Sequence, residues 1–195
     1  MTVPEVSPVR RAAAPLVALT ALVALTGCTS LQGTNDGGYV PGEGGVLEIA
    51  LDNREKAVDL ESETVDDGEL DLADLRGEVV VVNVWWSGCA PCRTEMPMLV
   101  EASEELDAEF VGINTRDLSL EAVRAFERSM GVTYPSYYDP GGETLLAFGA
   151  RYSPRAMPTT LVLDREGRVA AVVTGAIPSK TTLVDLVEEI AAEDG

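Results

Sequence analysis

Val79 to Trp85 reads Val-Val-Val-Val-Asn-Val-Trp, and this run limits the fold more than any other part of the chain. A nearly unbroken β-branched stretch fits a strand covered on both faces, which occurs inside parallel or mixed sheets whose crossovers are helices. The flanking pattern supplies those helices. One is expected from about Pro91 to Ala108, with Met96, Leu99, Ser103 and Leu106 at three-and-four spacing. A second strand follows over Phe110 to Ile113. Ser119 then caps a helix whose Leu120, Val123, Phe126 and Met130 share a face, and Gly131 ends it. Strands are expected at Thr159 to Leu163 and Arg168 to Thr174, joined tightly through Asp164-Arg165-Glu166-Gly167. A last helix starts at Ser179 and carries Leu183, Leu186, Val187 and Ile190 on one stripe. The order β-α-β-α-β-β-α makes this an α/β fold around a central sheet. Ahead of it, Ala57 to Leu72 reads as a short hairpin around Asp66-Asp67-Gly68, with one helical turn over Leu72 to Leu75. The 195 residues suit a single domain with extras.

The extras stand at the N-terminus. Arg10 and Arg11 precede an uncharged stretch from Ala12 to Gly27, with its apolar core at Leu16 to Thr26. That layout is a cleavable export signal, expected over residues 1–27. The stretch closes on Leu25-Thr26-Gly27-Cys28, which resembles the bacterial lipobox, so Cys28 is the expected site of lipidation. Residues 28–45, rich in Gly, Ser, Thr and Asn, read as a flexible tether, and the folded domain is expected over 46–195. The chain has 14 Lys and Arg against 33 Asp and Glu, a net charge of −19. A nucleic-acid partner is excluded on that balance, since phosphate binding needs a basic face. Anionic lipid would repel the same surface, so attachment to the membrane falls to the acyl groups.

The chain has no histidine, which removes Ser-His-Asp and Cys-His catalysis and His-ligated metal sites. Apart from Cys28 it holds only Cys89 and Cys92, in Cys89-Ala90-Pro91-Cys92, where the central strand turns into its helix. At a helix start the free amide hydrogens and the dipole stabilise a thiolate, so Cys89 is the expected nucleophile and Cys92 its resolving partner. Pro91 fits the first helical turn, where its missing donor costs nothing. Zinc would need a second pair of ligands that the chain lacks, so no metal is expected. A purely structural disulfide closing so small a loop would constrain the unfolded chain little. The pattern reads as a redox dithiol.

From about Ala57 onward the chain resembles the TlpA/ResA-like family of membrane-anchored, thioredoxin-fold thiol-disulfide oxidoreductases. The resemblance rests on Gly77 to Trp85, on Cys89-Ala90-Pro91-Cys92-Arg93-Thr94-Glu95-Met96-Pro97, on Tyr134-Pro135 with Tyr138-Asp139-Pro140, and on Met157-Pro158-Thr159-Thr160. It implies a thioredoxin-like fold: a central mixed sheet flanked by helices, with an N-terminal hairpin extension and a central α/β insertion that includes the helix from Ser119 to Gly131. It implies that Pro158 is a cis-proline facing the dithiol, with Met157, Pro158 and Thr159 binding substrate. Glu95 matches the family's active-site glutamate, and Asn83 stands where cytoplasmic thioredoxins have a buried Asp. One departure is Gly88, where the family usually has Trp, so Cys89 is expected to be less shielded. Trp85 is expected in the core.

The function implied is a lipid-anchored reductase on the extracytoplasmic face of the membrane. Its clients would be exported disulfides such as those of apocytochrome c, its electrons would come from a membrane thiol donor, and it would need no cofactor. An oxidant running the reverse reaction is the nearest alternative, and a binding lipoprotein with a merely structural Cys pair is another.

Overall fold

The computed structural model describes residues 45–193. The export signal, Cys28 and all of the tether but Gly45 lie outside the described residues. Within them the order is β1 (Val46–Glu48), β2 (Glu61–Glu63), β3 (Glu69–Asp71), β4 (Val80–Trp85), α1 (Ala90–Glu105) and β5 (Glu109–Thr115). There follow α2 (Leu120–Met130), β6 (Ser136–Asp139), α3 (Gly149–Tyr152), β7 (Thr159–Leu163), β8 (Val169–Thr174) and α4 (Lys180–Ala192). Six strands form one mixed sheet in the order β1-β8-β7-β4-β5-β6, and β2 with β3 makes the separate N-terminal hairpin.

The β-branched run behaves as its composition requires. β4 lies inside the sheet, parallel to β5 and antiparallel to β7, and all its residues are buried. Val79 and Val81 face α1 and α4, where they meet Leu99, Ala102, Leu183 and Ile190. Val80, Val82 and Val84 face the other way, into a layer with Leu72, Tyr137, Phe148 and Tyr152. Burying each such side chain contributes about 1.5–3 kcal/mol, so the two layers hold β4 and the loop that leaves it in place.

The caps of α2 and α4 fall on the expected residues. Ser119 Oγ accepts from Ala122 N at 3.3 Å, and Gly131 ends α2 in the left-handed conformation at φ 72°. Ser179 Oγ accepts from Thr182 N at 3.1 Å at the head of α4.

Two strands and two boundaries differ from expectation. Two strands are absent from the order β-α-β-α-β-β-α: β6, which pairs parallel with β5, and β1, which docks on β8. Both are too short to show a period, and sheet pairing rather than composition extends them. α2 with β6 forms the central α/β insertion. The second strand runs on through Asn114 and Thr115, polar residues that are fully buried. α1 stops at Glu105 rather than Ala108, because Leu106 is already extended.

The N-terminal extension is tied down by Arg54, whose side chain is 2% exposed. It pairs with Asp164 at 3.0 Å and Glu193 at 2.5 Å, and donates to Ile49 O at 3.0 Å. One guanidinium thereby joins the start of the domain, the β7–β8 turn and the end of α4.

Candidate active site

β4 ends at Trp85, and after Trp86-Ser87-Gly88 the chain enters α1 with Cys89 as its N-cap residue. Cys89 Sγ accepts a hydrogen bond from Cys92 N at 3.2 Å, the bond a capping side chain makes to an otherwise unpaired amide. Pro91 occupies the first turn, as expected. Cys89 and Cys92 form a disulfide with their Cα atoms 5.2 Å apart. Cys92 is fully buried and Cys89 is 5% exposed, so Cys89 is the more accessible of the pair. In the reduced form the same amide and the positive end of α1 favour a Cys89 thiolate.

The Met157–Pro158 bond is cis. Met157 packs on the apolar cluster that contains Cys89, Cys92, Trp85 and Phe126, which brings the cis-proline loop against the dithiol. Gly175 N donates to Pro158 O at 2.9 Å, and Thr159 Oγ1 donates to Ala156 O at 2.9 Å, so both neighbours of the loop are fixed. Among the described residues nothing hydrogen-bonds to the Met157 backbone.

Glu95 lies one helical turn beyond Cys92 on the buried face of α1. Its carboxylate accepts from Asn83 Nδ2 at 3.1 Å and from Ile177 N at 3.0 Å. Burial pushes its pKa above the ordinary carboxylate value, and the bonds from Ile177 and Asn83 offset part of that rise. Asn83 also donates to Thr160 Oγ1 at 3.0 Å, so it positions the glutamate against the strand that follows Pro158. Among the described residues no group of His, Cys, Asp or Glu is arranged to hold a metal ion.

Against the expectation that Gly88 leaves Cys89 less shielded, Cys89 is buried, and Trp86 packs on the cluster that contains it. A Cβ at Gly88 would stand 2.3 Å from the Trp86 ring, so that indole lies directly over the glycine. Trp86 fills the space from two residues upstream, and Gly88 is what lets it approach. Trp85 is fully buried and stacks on Phe126 at 5.1 Å, in the core as expected.

The sequence reading missed the clamp on the dithiol loop. Asp117 accepts from Ser87 N and Ser87 Oγ at 2.7 Å each and from Asn114 Nδ2 at 2.8 Å. Arg93 donates to Ser87 O at 3.2 Å and lies over the Phe126 ring at 5.1 Å. The loop is thus held from α1 and from the β5–α2 junction, where Arg116 turns the chain at φ 65°. The available signal was a carboxylate, an amide and a serine at strand ends, which carries no spacing rule.

Residues 52–189 match the redoxin family. The chain is 28% identical to the thioredoxin-like protein YneN of Bacillus subtilis, over 68% of this chain and 78% of that protein. It is 32% identical to the thiol-disulfide oxidoreductase ResA of the same organism, over 55% of this chain and only 59% of ResA. Among solved structures, a DsbF homologue from Corynebacterium diphtheriae superposes with a TM-score of 0.70 at 32% identity, covering 77% of this chain and 96% of that one. A secreted thiol-disulfide isomerase from Corynebacterium glutamicum gives 0.72 at 29% identity, covering 80% and 96%. With the Cys89–Cys92 pair at the head of α1 and this breadth of likeness, the chain belongs to the redoxin family, as a ResA-like thiol-disulfide oxidoreductase of thioredoxin-like fold.

Proposed function

We propose that the protein is anchored through lipid at Cys28 on the extracytoplasmic face of the membrane and reduces disulfides of exported proteins, apocytochrome c among them. The observation that carries the reading is the Cys89 sulfur, set at the head of α1 beside a cis-proline loop whose Met157 backbone is unpaired among the described residues. The export signal and lipobox pattern support the location, and the Corynebacterium glutamicum relative is described as secreted.

In the reductive direction the Cys89 thiolate attacks one client sulfur. The client S–S bond breaks, and its second sulfur leaves as a thiolate and takes a proton. The client strand lies against Met157, Pro158 and Thr159 while the mixed disulfide lasts. Cys92 then gives its proton to Glu95 and attacks the Cys89 sulfur. The bond from Cys89 to the client breaks, the client sulfur leaves and takes up a proton, and the Cys89–Cys92 disulfide forms as the client departs as a dithiol. Two electrons have passed to the client, and a membrane thiol donor restores them.

Cys92→Ser in the full chain, expressed in cells, stops the reaction at the mixed disulfide and is expected to accumulate covalent adducts that Cys89→Ser lacks. Cys28→Ala is expected to release the protein from the membrane fraction. A reduction potential near about −270 mV fits the reductase, whereas one near about −120 mV would make it an oxidant. Absence of client adducts would refute the reading.

A further inference from the structure

The dithiol sits at the end of the sheet where four loops meet. Strand register aligns Trp85 with Asn114, Val84 with Thr159, and Thr159 with Thr174. The loops after β4, β5 and β8 and the loop before β7 therefore border one another, since paired strands lie about 4.8 Å apart.

The charge on these loops is opposite to that of the molecule. The chain carries 33 Asp and Glu against 14 Lys and Arg, yet residues 86–94, 115–119, 153–158 and 175–179 hold three arginines and a single carboxylate, and the loop after β6, which borders Arg116, adds only Glu143. Arg93, Arg116 and Arg155 are all exposed, and among the described residues none has a carboxylate partner. The carboxylate within the four loops is Asp117, half-buried and engaged by Ser87 and Asn114. It therefore serves the loop rather than neutralising the rim. Two of the arginines are held from behind: Arg93 by Ser87 O and the Phe126 ring, and Arg155 through a bond to Ala150 O at 3.2 Å. On the same rim Leu118 is 89% exposed, next to Asp117.

We infer that this face selects clients by charge, binding an acidic, extended segment beside the client disulfide. The inference rests on the reading that clients dock over Cys89 and the cis-proline loop. An acidic body repels acidic polypeptides at long range, so a local basic rim on the reactive face both orients such a client and holds it with the disulfide at Cys89. Leu118 adds an apolar contact at the edge of the rim, and the guanidinium forks suit carboxylates flanking the client cysteines.

The test uses the purified, reduced full chain and three disulfide-bonded peptides of equal length, whose cysteines are flanked by Glu, by Gln or by Lys. Second-order rates are measured by stopped flow at low and high salt. The acidic peptide is expected to react about tenfold faster than the neutral one at low ionic strength, with most of the advantage gone at about 0.5 M salt. In Arg116→Gln/Arg155→Gln the ratio of acidic to neutral rates is expected to fall toward one. Equal rates for acidic and neutral peptides, a preference for the basic peptide, or a variant that slows all three peptides alike would overturn the inference, the last by assigning the arginines to Cys89 activation. In each of those outcomes the neutral peptide is still reduced, so dithiol exchange stands. If none of the three peptides is reduced, it is the underlying oxidoreductase reading that fails.

Discussion

Asn83 on β4 donates to Glu95 on α1, Nδ2 to Oε1 at 3.1 Å, with both residues buried. The same amide donates to Thr160, two residues beyond the cis-proline, while Glu95 takes its second bond from Ile177 N. One amide and one carboxylate thus connect the strand that leads to the dithiol, the helix that carries it, the strand after Pro158 and the loop after β8. The Asn83 carbonyl oxygen has no partner among the described residues, which leaves room for the amide to answer a change in the protonation of Glu95.

The Glu95 carboxyl is raised by burial, so the folded state holds its proton more tightly than the unfolded chain does. Its contribution to stability is therefore full below the ordinary carboxylate pKa and is lost as pH rises through the raised folded value. Glu95→Gln keeps an acceptor for Ile177 N and carries no charge. It is expected to flatten stability against pH over that window and to become more stable relative to wild type as pH rises. Urea unfolding of both proteins between about pH 4 and pH 8 reads this directly, and parallel curves would contradict it. If Glu95 accepts the Cys92 proton as proposed, the variant should also lose one limb of the pH–rate profile, because an amide cannot take that proton.

The Trp86 ring fills the space that a Cβ at Gly88 would need. Gly88→Trp alone is expected to displace the Trp86 indole and destabilise the domain by about 1–3 kcal/mol, the usual cost of overpacking. The exchange variant Trp86→Gly/Gly88→Trp should recover most of that loss. A double-mutant cycle measures the coupling, and additive effects would mean that the two positions do not share the space.

Legibility followed the length of the signal. β4, α2, α4 and the β7–β8 hairpin could be read because their periods and caps are local: a β-branched run, Ser119 with Gly131, Ser179, and Asp164 with Gly167. β6 and β1 escaped because a strand of three or four residues has no period, and Val46–Glu48 is a strand only because β8 lies beside it. At the site, Cys89 and Cys92 followed from spacing, while the parts assigned to Glu95 and Pro158 came from resemblance. The Asp117–Ser87 clamp and the covering of Gly88 by Trp86 depend on how loops close in space. Neither residue pair has a sequence interval that would announce it.

Arg54 is expected to matter more than any surface ion pair. Among the described residues, Arg54→Met leaves Glu193 without its ion-pair partner and Asp164 with Arg168, at 2.8 Å, as its remaining one. Removing one side of a buried pair typically costs about 3 kcal/mol. Burial pushes the Asp164 carboxyl up, but hydrogen bonds from Arg168 N, Arg54 and the Arg168 side chain outweigh it and hold the pKa below the ordinary value. That contribution is present above the unfolded carboxyl pKa and is lost as pH falls through the depressed folded one. Arg54→Met should therefore lose less stability on acidification than wild type does. An equal loss on acidification in the two proteins would count against the clamp.

The clamp at Asp117 lends itself to a graded series. Asp117→Asn keeps the size and one acceptor but exchanges charge-assisted bonds to Ser87 for weaker ones, while Asp117→Ala removes all three bonds and leaves Ser87 N without its partner. Hydrogen bonds to a charged group contribute about 1.5–3 kcal/mol each, but Asp117 and Ser87 are half-buried and the released Ser87 groups can turn to water, so Asp117→Ala is expected to lose about 2 kcal/mol in all and Asp117→Asn less. Because Ser87 stands two residues before Cys89, loosening it should free the head of α1 as well. Amide exchange at residues 86–90 is expected to quicken in the order wild type, Asp117→Asn, Asp117→Ala, while exchange in β7 and β8 stays as it was. Uniform acceleration across the sheet would show instead that Asp117 supports the whole domain rather than the loop that presents the dithiol.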